Sequence, residues 1–252
     1  MGLHPEFLTR PIAHRGLHDE SLPENSMAAF TAAIAAGYGI ECDIQRAMDN
    51  TPMVFHDYEL GRLTDIENGT VAASTPAQLV KLHLRESDET IPTLRDMLAE
   101  VAGRTPLLIE IKDPTIDSGP DVGALPDRVA EELRDYGGPV AVMSFNPHVI
   151  AAFHAAAPGI AAGLTTCGYD EGEWPMLDAP TRERLAAIAD FDAVGASFIS
   201  HDRNDLDNPA VTALKARGVP VLTWTIRSHG QEVEARRIAD NITFEDYLAN
   251  IG

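Results

Sequence analysis

Residues 12–57 read IAHRGLHDESLPENSMAAFTAAIAAGYGIECDIQRAMDNTPMVFHD, and the fold is decided there. Ile12–Ala13–His14 is a short apolar run stopped by Gly16 and reads as a strand. Residues 24–36 carry Met27, Phe30, Ile34 and Ala35 at helical spacing. Asn25 or Ser26 can cap this helix, and Gly37 ends it. Ile40–Ile44 then reads as a second strand. A strand–helix–strand unit implies parallel strands joined by a right-handed crossover. The next run, Pro52–His56, comes too soon for a crossover helix. Asp49–Asn50 is a turn signal, so this run is expected to fold back as a hairpin. A turn centred on those two residues sets Asp43 opposite His56.

Outward from this stretch, residues 57–91 break the alternation, with one short helical run around Thr75–Leu84. They read as an insertion over one end of the sheet. A helix is expected over Pro92–Ala102, and the alternation then becomes regular. Strands are expected at Leu107–Ile111, Pro139–Phe145, Ile160–Thr165, Ala193–Phe198, Val219–Thr225 and Asn241–Phe244. Helices are expected at Val122–Tyr136, Pro147–Ala157, Thr181–Asp190, Ala210–Arg217 and Gln231–Ala239. Without the hairpin arm, this pattern supplies strands for an α/β fold, a (β/α)8 TIM barrel. The expected organisation is a single domain over 1–252, with 57–91 as a small insertion. The length of 252 residues suits one such barrel.

The net charge of −20 argues against a nucleic-acid surface and against an anionic membrane. It also repels any phosphate-bearing substrate, so a local cation has to offset the global field. Cys42 and Cys167 supply neither a disulfide framework nor zinc spacing. The opening residues MGLHPEFLTRP lack a signal-peptide apolar core, and no window suggests a membrane anchor, so a cytoplasmic location is expected.

In barrels of this kind the chemistry sits at the C-terminal ends of the strands. The polar residues at those ends are His14 and Arg15, Glu41 and Asp43, Glu110 and Lys112, Ser144, Thr165, Ser197, Trp224 and Thr225. Residues two apart on a strand share a face, so Glu41 aims with Asp43 and Glu110 with Lys112. Three inward carboxylates make a hard, oxygen-rich site suited to one divalent cation, Mg²⁺ or Ca²⁺. With His56 returned by the hairpin, His14 and His56 become candidates for a general acid–base pair. Arg15 and Lys112 can hold an anionic oxygen. The motifs GxxxxGK, HExxH, GxSxG and GxGxxG are absent, which removes several other enzyme classes.

The segments AHRG (13–16), PENS (23–26), ECD (41–43), FHD (55–57), IPTL (91–94), IEIK (109–112), SF (144–145) and WT (224–225) resemble, in order and spacing, the glycerophosphodiester phosphodiesterases. The match runs over nearly the whole chain. The resemblance implies a barrel of the phospholipase-C-like phosphodiesterase type with one divalent metal and two catalytic histidines. By that resemblance Glu41, Asp43 and Glu110 are metal ligands and His14 and His56 the acid–base pair. Arg15 and Lys112 would hold the phosphate. Phe145 and Trp224 can wall the glycerol carbons of a small-molecule substrate. The chain departs from the family pattern in two places. Trp224-Thr225-Ile226-Arg227 stands where Trp-Thr-Val-Asn is usual, and Phe244–Glu245 where Thr-Asp is usual.

The expected reaction is hydrolysis of a glycerophosphodiester to sn-glycerol 3-phosphate and an alcohol. A lysophospholipase D or sphingomyelinase-D-like phosphodiesterase is the rival enzyme, and it would need an apolar groove for acyl chains. A non-enzymatic phosphodiester-binding protein is the rival from another class.

Overall fold

The structure, a computed structural model, describes residues 2–115 and 117–251. Its strands are β1 (Ile12–Ala13), β2 (Gly39–Arg46), β3 (Pro52–Val54), β4 (Leu107–Ile111), β5 (Val140–Ser144), β6 (Ala161–Thr166), β7 (Phe198–Asp202), β8 (Val221–Ile226) and β9 (Asn241–Phe244). All but β3 pair in parallel in the circular order β1-β2-β4-β5-β6-β7-β8-β9. β1 pairs with both β2 and β9, which closes the eight-stranded barrel. Among the described residues closure leaves no edge except the short β3, which lies antiparallel on β2.

The helices are α1 (Glu6–Thr9), α2 (Met27–Ala36), α3 (Pro76–Leu79), α4 (Leu94–Val101), α5 (Leu125–Leu133), α6 (Pro147–Ala156), α7 (Ala179–Ala186), α8 (Pro209–Ala216) and α9 (His229–Ala235). Their starts follow local chemistry. Ser26, Thr93, Asn146, Asp178, Asn208 and Ser228 each accept a backbone N–H of the first turn. Ser26, not Asn25, caps α2, which frees Asn25 for another role. Among the described residues no helix is long and apolar enough to cross a membrane.

Alternation along the strands separates two cores. The outward residues, such as Ile40, Cys42 and Ile44 of β2, pack under the helices. The inward residues Ile12, Leu108, Ala141, Ala161, Phe198 and Leu222 fill the N-terminal half of the barrel, and Phe7 of α1 packs with them. Gly163 of β6 makes room for the Phe198 ring, since a Cβ there would lie 2.6 Å from three ring carbons. Above this apolar plug the inward positions turn polar, and the site begins.

Two expectations on register and extent are corrected. The hairpin pairs Ile44 with Val54 and Arg46 with Pro52, which sets Asp43 opposite Phe55 rather than His56. Ala47 N donates to Thr51 O at 2.9 Å, enclosing three loop residues rather than two, and Asn50 is left-handed with φ 66°. A three-residue loop ending in a left-handed Asn moves the centre of symmetry by half a residue and the pairing by one. The sixth barrel strand, β7, runs Phe198–Asp202, not Ala193–Phe198. Residues 191–195 are turns, and Ser197 meets only the Ala162 carbonyl at the strand's N-terminal side. Ser144 also misses the cavity, because its hydroxyl donates to Ile111 O at 2.7 Å.

Gly163→Ala is expected to destabilise the fold by about 1–3 kcal/mol, the usual cost of overpacking. Urea unfolding would read this as a lower midpoint with an unchanged slope, and Gly163→Ala with Phe198→Leu should recover part of it. An unchanged midpoint for Gly163→Ala would remove the ring–glycine contact as a packing constraint.

Candidate active site

Parallel pairing of β2 with β4 puts Asp43 beside Glu110 and Glu41 beside Leu108. Because Glu41, Asp43, Glu110 and Lys112 all face inward, their side chains converge. One oxygen from each of Glu41, Asp43 and Glu110 lies within 4.8 Å of the others. The three residues are 1%, 1% and 6% exposed. The Lys112 ammonium sits between two of them, 2.7 Å from Asp43 Oδ1 and 2.5 Å from Glu110 Oε1.

His14 and Arg15 arrive from the end of β1. His14 N donates to Phe244 O at 2.9 Å, so the ladder continues one residue past the strand. Arg15 and Gly16 then both take positive φ, 55° and 83°. A Cβ on Gly16 would meet the backbone and Cβ of Ala29 at 2.9 Å, so only glycine fits here. The tight turn points Arg15 at the carboxylates. Its amide N–H donates to Glu41 Oε2 at 3.0 Å, and its Nε lies 3.2 Å from Asp43 Oδ2. Asn25, left-handed at φ 56°, donates to Asp43 Oδ2 at 2.9 Å and accepts the Asp43 amide at 3.2 Å. Asp43 is thus held by three residues, Lys112, Arg15 and Asn25, whereas Glu41 has the Arg15 amide and the His14 ring, whose Nε2 is 3.9 Å away.

His56 lies just past β3, its carbonyl held by Gln45 Nε2 at 3.0 Å. Its Nδ1 is 2.6 Å from Asp57 Oδ1. Asp57 Oδ2 accepts from Arg62 Nε at 2.6 Å, and Arg62 also grips Glu24 at 2.7 and 2.8 Å. His14 is backed in the same way. Its Nδ1 contacts Glu245 Oε2, and Arg227 Nη2 lies 2.5 Å from Glu245 Oε1.

Burial sets the protonation pattern. Burial, then repulsion from Asp43 and Glu110, pushes the Glu41 carboxyl well above the ordinary range. Burial opposes the charge on Asp43 too, but Lys112 and Arg15 outweigh it and hold that carboxyl well below the ordinary range. Burial works against the Lys112 ammonium, and Asp43 and Glu110 overcome it, so its pKa is raised. Burial lowers the His14 imidazole below its usual value, with the Glu245 hydrogen bond acting in the opposite sense.

These donors fit a hard metal ion. Oxygens bound to one Mg²⁺ or Ca²⁺ at roughly 2.0–2.6 Å lie no more than about 4–5 Å apart, which is the spread of the three carboxylates. The poorly neutralised Glu41 has the most to gain from a cation.

His14, Arg15, Glu41, Asp43, His56, Glu110, Lys112, Phe145 and Trp224 all border one cavity of about 270 Å³. Thr165 and Thr243 border it as well, their buried hydroxyls without a hydrogen-bond partner. An adjoining groove of about 590 Å³ shares His56, Glu110, Lys112 and Phe145 and adds Tyr58 and Trp174. A larger cavity of about 840 Å³ lies around the N-terminal ends of β5 and β6 and contains none of these groups. The chemistry follows the converging charges, not the larger void.

Sequence reasoning passed over Glu24, Asp57, Arg62 and Glu245 as partners. Glu24 and Asp57 belong to the PENS and FHD segments, so adjacency to Asn25 and His56 was the available signal. Arg62 sits in the irregular 57–91 segment and carried none.

The sequence model described as "Glycerophosphoryl diester phosphodiesterase family" matches residues 14–244. A glycerophosphodiester phosphodiesterase 1 of Bos taurus is 36% identical, the match covering 91% of this chain and 75% of that one. A glycerophosphodiester phosphodiesterase of Caldanaerobacter subterraneus is 32% identical over 67% of this chain and 71% of its own. A phosphodiesterase of Oleispira antarctica, solved with the product sn-glycerol-3-phosphate, superposes with a TM-score of 0.77 at 25% identity, covering 96% of this chain and 94% of that one. A barrel carrying this site is a phosphoric diester hydrolase. The chain belongs to the glycerophosphoryl diester phosphodiesterase family.

Mg²⁺ or Ca²⁺ in excess is expected to raise the melting temperature. At one hundred times its dissociation constant a bound ion adds about 2.7 kcal/mol, worth ~5–10 °C for a chain of this size. Asp43→Asn with Glu110→Gln should abolish the shift. An equal shift in that double variant would rule out the carboxylates as the metal site.

Proposed function

We propose that the chain hydrolyses glycerophosphodiesters to sn-glycerol 3-phosphate and an alcohol, with His14 and His56 as the acid–base pair. The observation that carries this reading is the meeting of both imidazoles with three buried carboxylates in one cavity. Glu41, Asp43 and Glu110 would hold one divalent cation, Mg²⁺ or Ca²⁺. When bound, it supplies Lewis-acid neutralisation of the charge growing on the phosphate's non-bridging oxygens. Arg15 and Lys112 add positive charge to the same oxygens.

The smaller cavity takes the glycerophosphoryl group. Phe145 and Trp224 pack on its carbons, and the unpartnered hydroxyls of Thr165 and Thr243 suit its alcohols. The groove takes the leaving alcohol, with Tyr58 and Trp174 along its walls. His56 borders both, which supports a role for it in protonating the departing oxygen. His14 borders only the smaller of the two, which supports a role for it in taking the proton from the attacking hydroxyl. If that hydroxyl is the substrate's own at glycerol C2, the phosphorus–oxygen bond that forms closes a cyclic phosphate and the alcohol leaves with the His56 proton. Water then opens the ring, adding the elements of one water molecule overall.

The chain is read as one barrel domain with 57–91 as a small insertion, which brings its own apolar side chains, Leu60, Val71, Leu79 and Leu84. A reducing compartment such as the cytoplasm suits two buried free thiols, Cys42 and Cys167.

His14→Ala and His56→Ala should each lose roughly 10²–10⁴-fold in turnover of glycerophosphocholine while keeping the wild-type melting temperature. EDTA should abolish activity and Mg²⁺ or Ca²⁺ restore it. Near-normal turnover by both variants would sink the acid–base assignment, and chelator-insensitive turnover would sink the metal. Faster release of alcohol from lysophospholipid than from glycerophosphocholine would favour the lysophospholipase D reading.

A further inference from the structure

Arg227 and Glu245, one from each of the two segments in which the chain departs from its family's pattern, are in contact. Arg227 Nη2 lies 2.5 Å from Glu245 Oε1, and the other carboxylate oxygen contacts His14 Nδ1. The backbone brings them together, since Glu245 N donates to Ile226 O at 3.0 Å across the β8–β9 ladder. Arg227 N in turn donates to Gln231 Oε1 at 2.7 Å, at the start of α9. The Glu245 side chain is 12% exposed. Burial opposes its charge, yet the hydrogen bond to His14, with His18 and the Arg227 guanidinium close by, holds the carboxyl well below the ordinary range.

An ionised carboxylate can only accept hydrogen bonds. The imidazole nitrogen facing it must therefore carry the proton. In neutral His14 that leaves Nε2 unprotonated, and Nε2 is the nitrogen on the side of the metal-binding carboxylates, 3.9 Å from Glu41 Oε2. The chain holds an internal parallel in His56, whose Nδ1 faces Asp57, itself held by Arg62. His18 approaches the same Glu245 oxygen at 3.6 Å, beyond hydrogen-bond reach, and it borders a different cavity.

Resting on the acid–base reading of His14 given above, we propose that Glu245, clamped by Arg227, is a positioning residue. It fixes His14 as the Nδ1–H tautomer and presents the bare Nε2 to the substrate hydroxyl.

The clamp makes an unusual prediction for Glu245→Gln. Arg227 has only donors, so it takes the amide oxygen of the new side chain. The amide NH₂ is then left facing His14 Nδ1, which must become an acceptor, and the tautomer inverts. Turnover of glycerophosphocholine should fall roughly 10- to 100-fold, as it does when a histidine's outer partner is lost, with KM within about twofold of wild type. In the double variant Glu245→Gln with Arg227→Ala, the amide is free to turn its oxygen to His14, and much of the lost kcat should return.

The tautomer is read directly from the ¹⁵N resonances of His14 in the wild type and in each variant, independently of turnover. A wild-type His14 protonated at Nε2, or a Glu245→Gln variant with the wild-type tautomer, would overturn the proposal. A rise in KM that accounts for the whole loss would also overturn it, because Arg227 and Glu245 would then be binding substrate. Failure of the double variant to recover would remove Arg227 from it. An inverted tautomer with unchanged kcat would instead count against His14 as the catalytic base, so the two readings fail in different ways.

Discussion

Everything in the site depends on three carboxylates being packed where they repel one another. Glu41, Asp43 and Glu110 are almost without solvent, and their oxygens lie within 4.8 Å. Carboxylates in such a place survive ionised only beside counter-charges. With all three ionised, Arg15 and Lys112 supply two against three and the group is one unit negative, which is why the Glu41 carboxyl is pushed up. A bound dication would turn that balance positive by one unit. This is how a chain of net charge −20 can offer a phosphodiester a favourable place: the field at the site is set by a local excess, screened little by water, and not by the distant surface acids.

Much of this was legible before any coordinates. The i, i+2 pairs ECD and IEIK lie on adjacent parallel strands in matching register, Asp43 beside Glu110. Strand alternation alone therefore brings them together. The failures have physical reasons. In the hairpin, the left-handed Asn50 allowed a three-residue loop, and a change of one loop residue shifts the register by one. In β7 the real strand ends in His201 and Asp202, polar enough to resemble a loop. Thr166 Oγ1 and Asp205 satisfy both His201 ring nitrogens at 2.7 and 3.1 Å; Asp205 is four residues on, but Thr166 comes from the neighbouring strand, 35 residues away, and no local pattern reveals it. Glu245 was visible only as an anomaly, because one acid among 39 Asp and Glu residues carries no mark of which histidine it will meet.

The two imidazoles are supported alike but by unlike parts of the fold. His14 and its partners lie on or just past β1, β8 and β9, the ladder that closes the barrel. Their relative positions are over-determined by backbone hydrogen bonds. His56 sits beyond the end of β3, and its carboxylate is held by an arginine from an irregular segment. Rigid support on one side and compliant support on the other suits a reaction in which one partner must stay bonded while the other departs.

The segment between His56 and Ile91 packs on the hairpin through Met53, Phe55, Leu60, Val71, Leu79 and Leu84, and none of these lies among the barrel's interior residues. Its apolar cluster is therefore separate from the barrel's interior. Its Arg62 joins Asp57, the carboxylate behind His56, to Glu24. The orientation of one imidazole thus rests on packing that the barrel does not supply, and a change among these apolar residues would bear on His56 while leaving the carboxylate cluster beneath untouched.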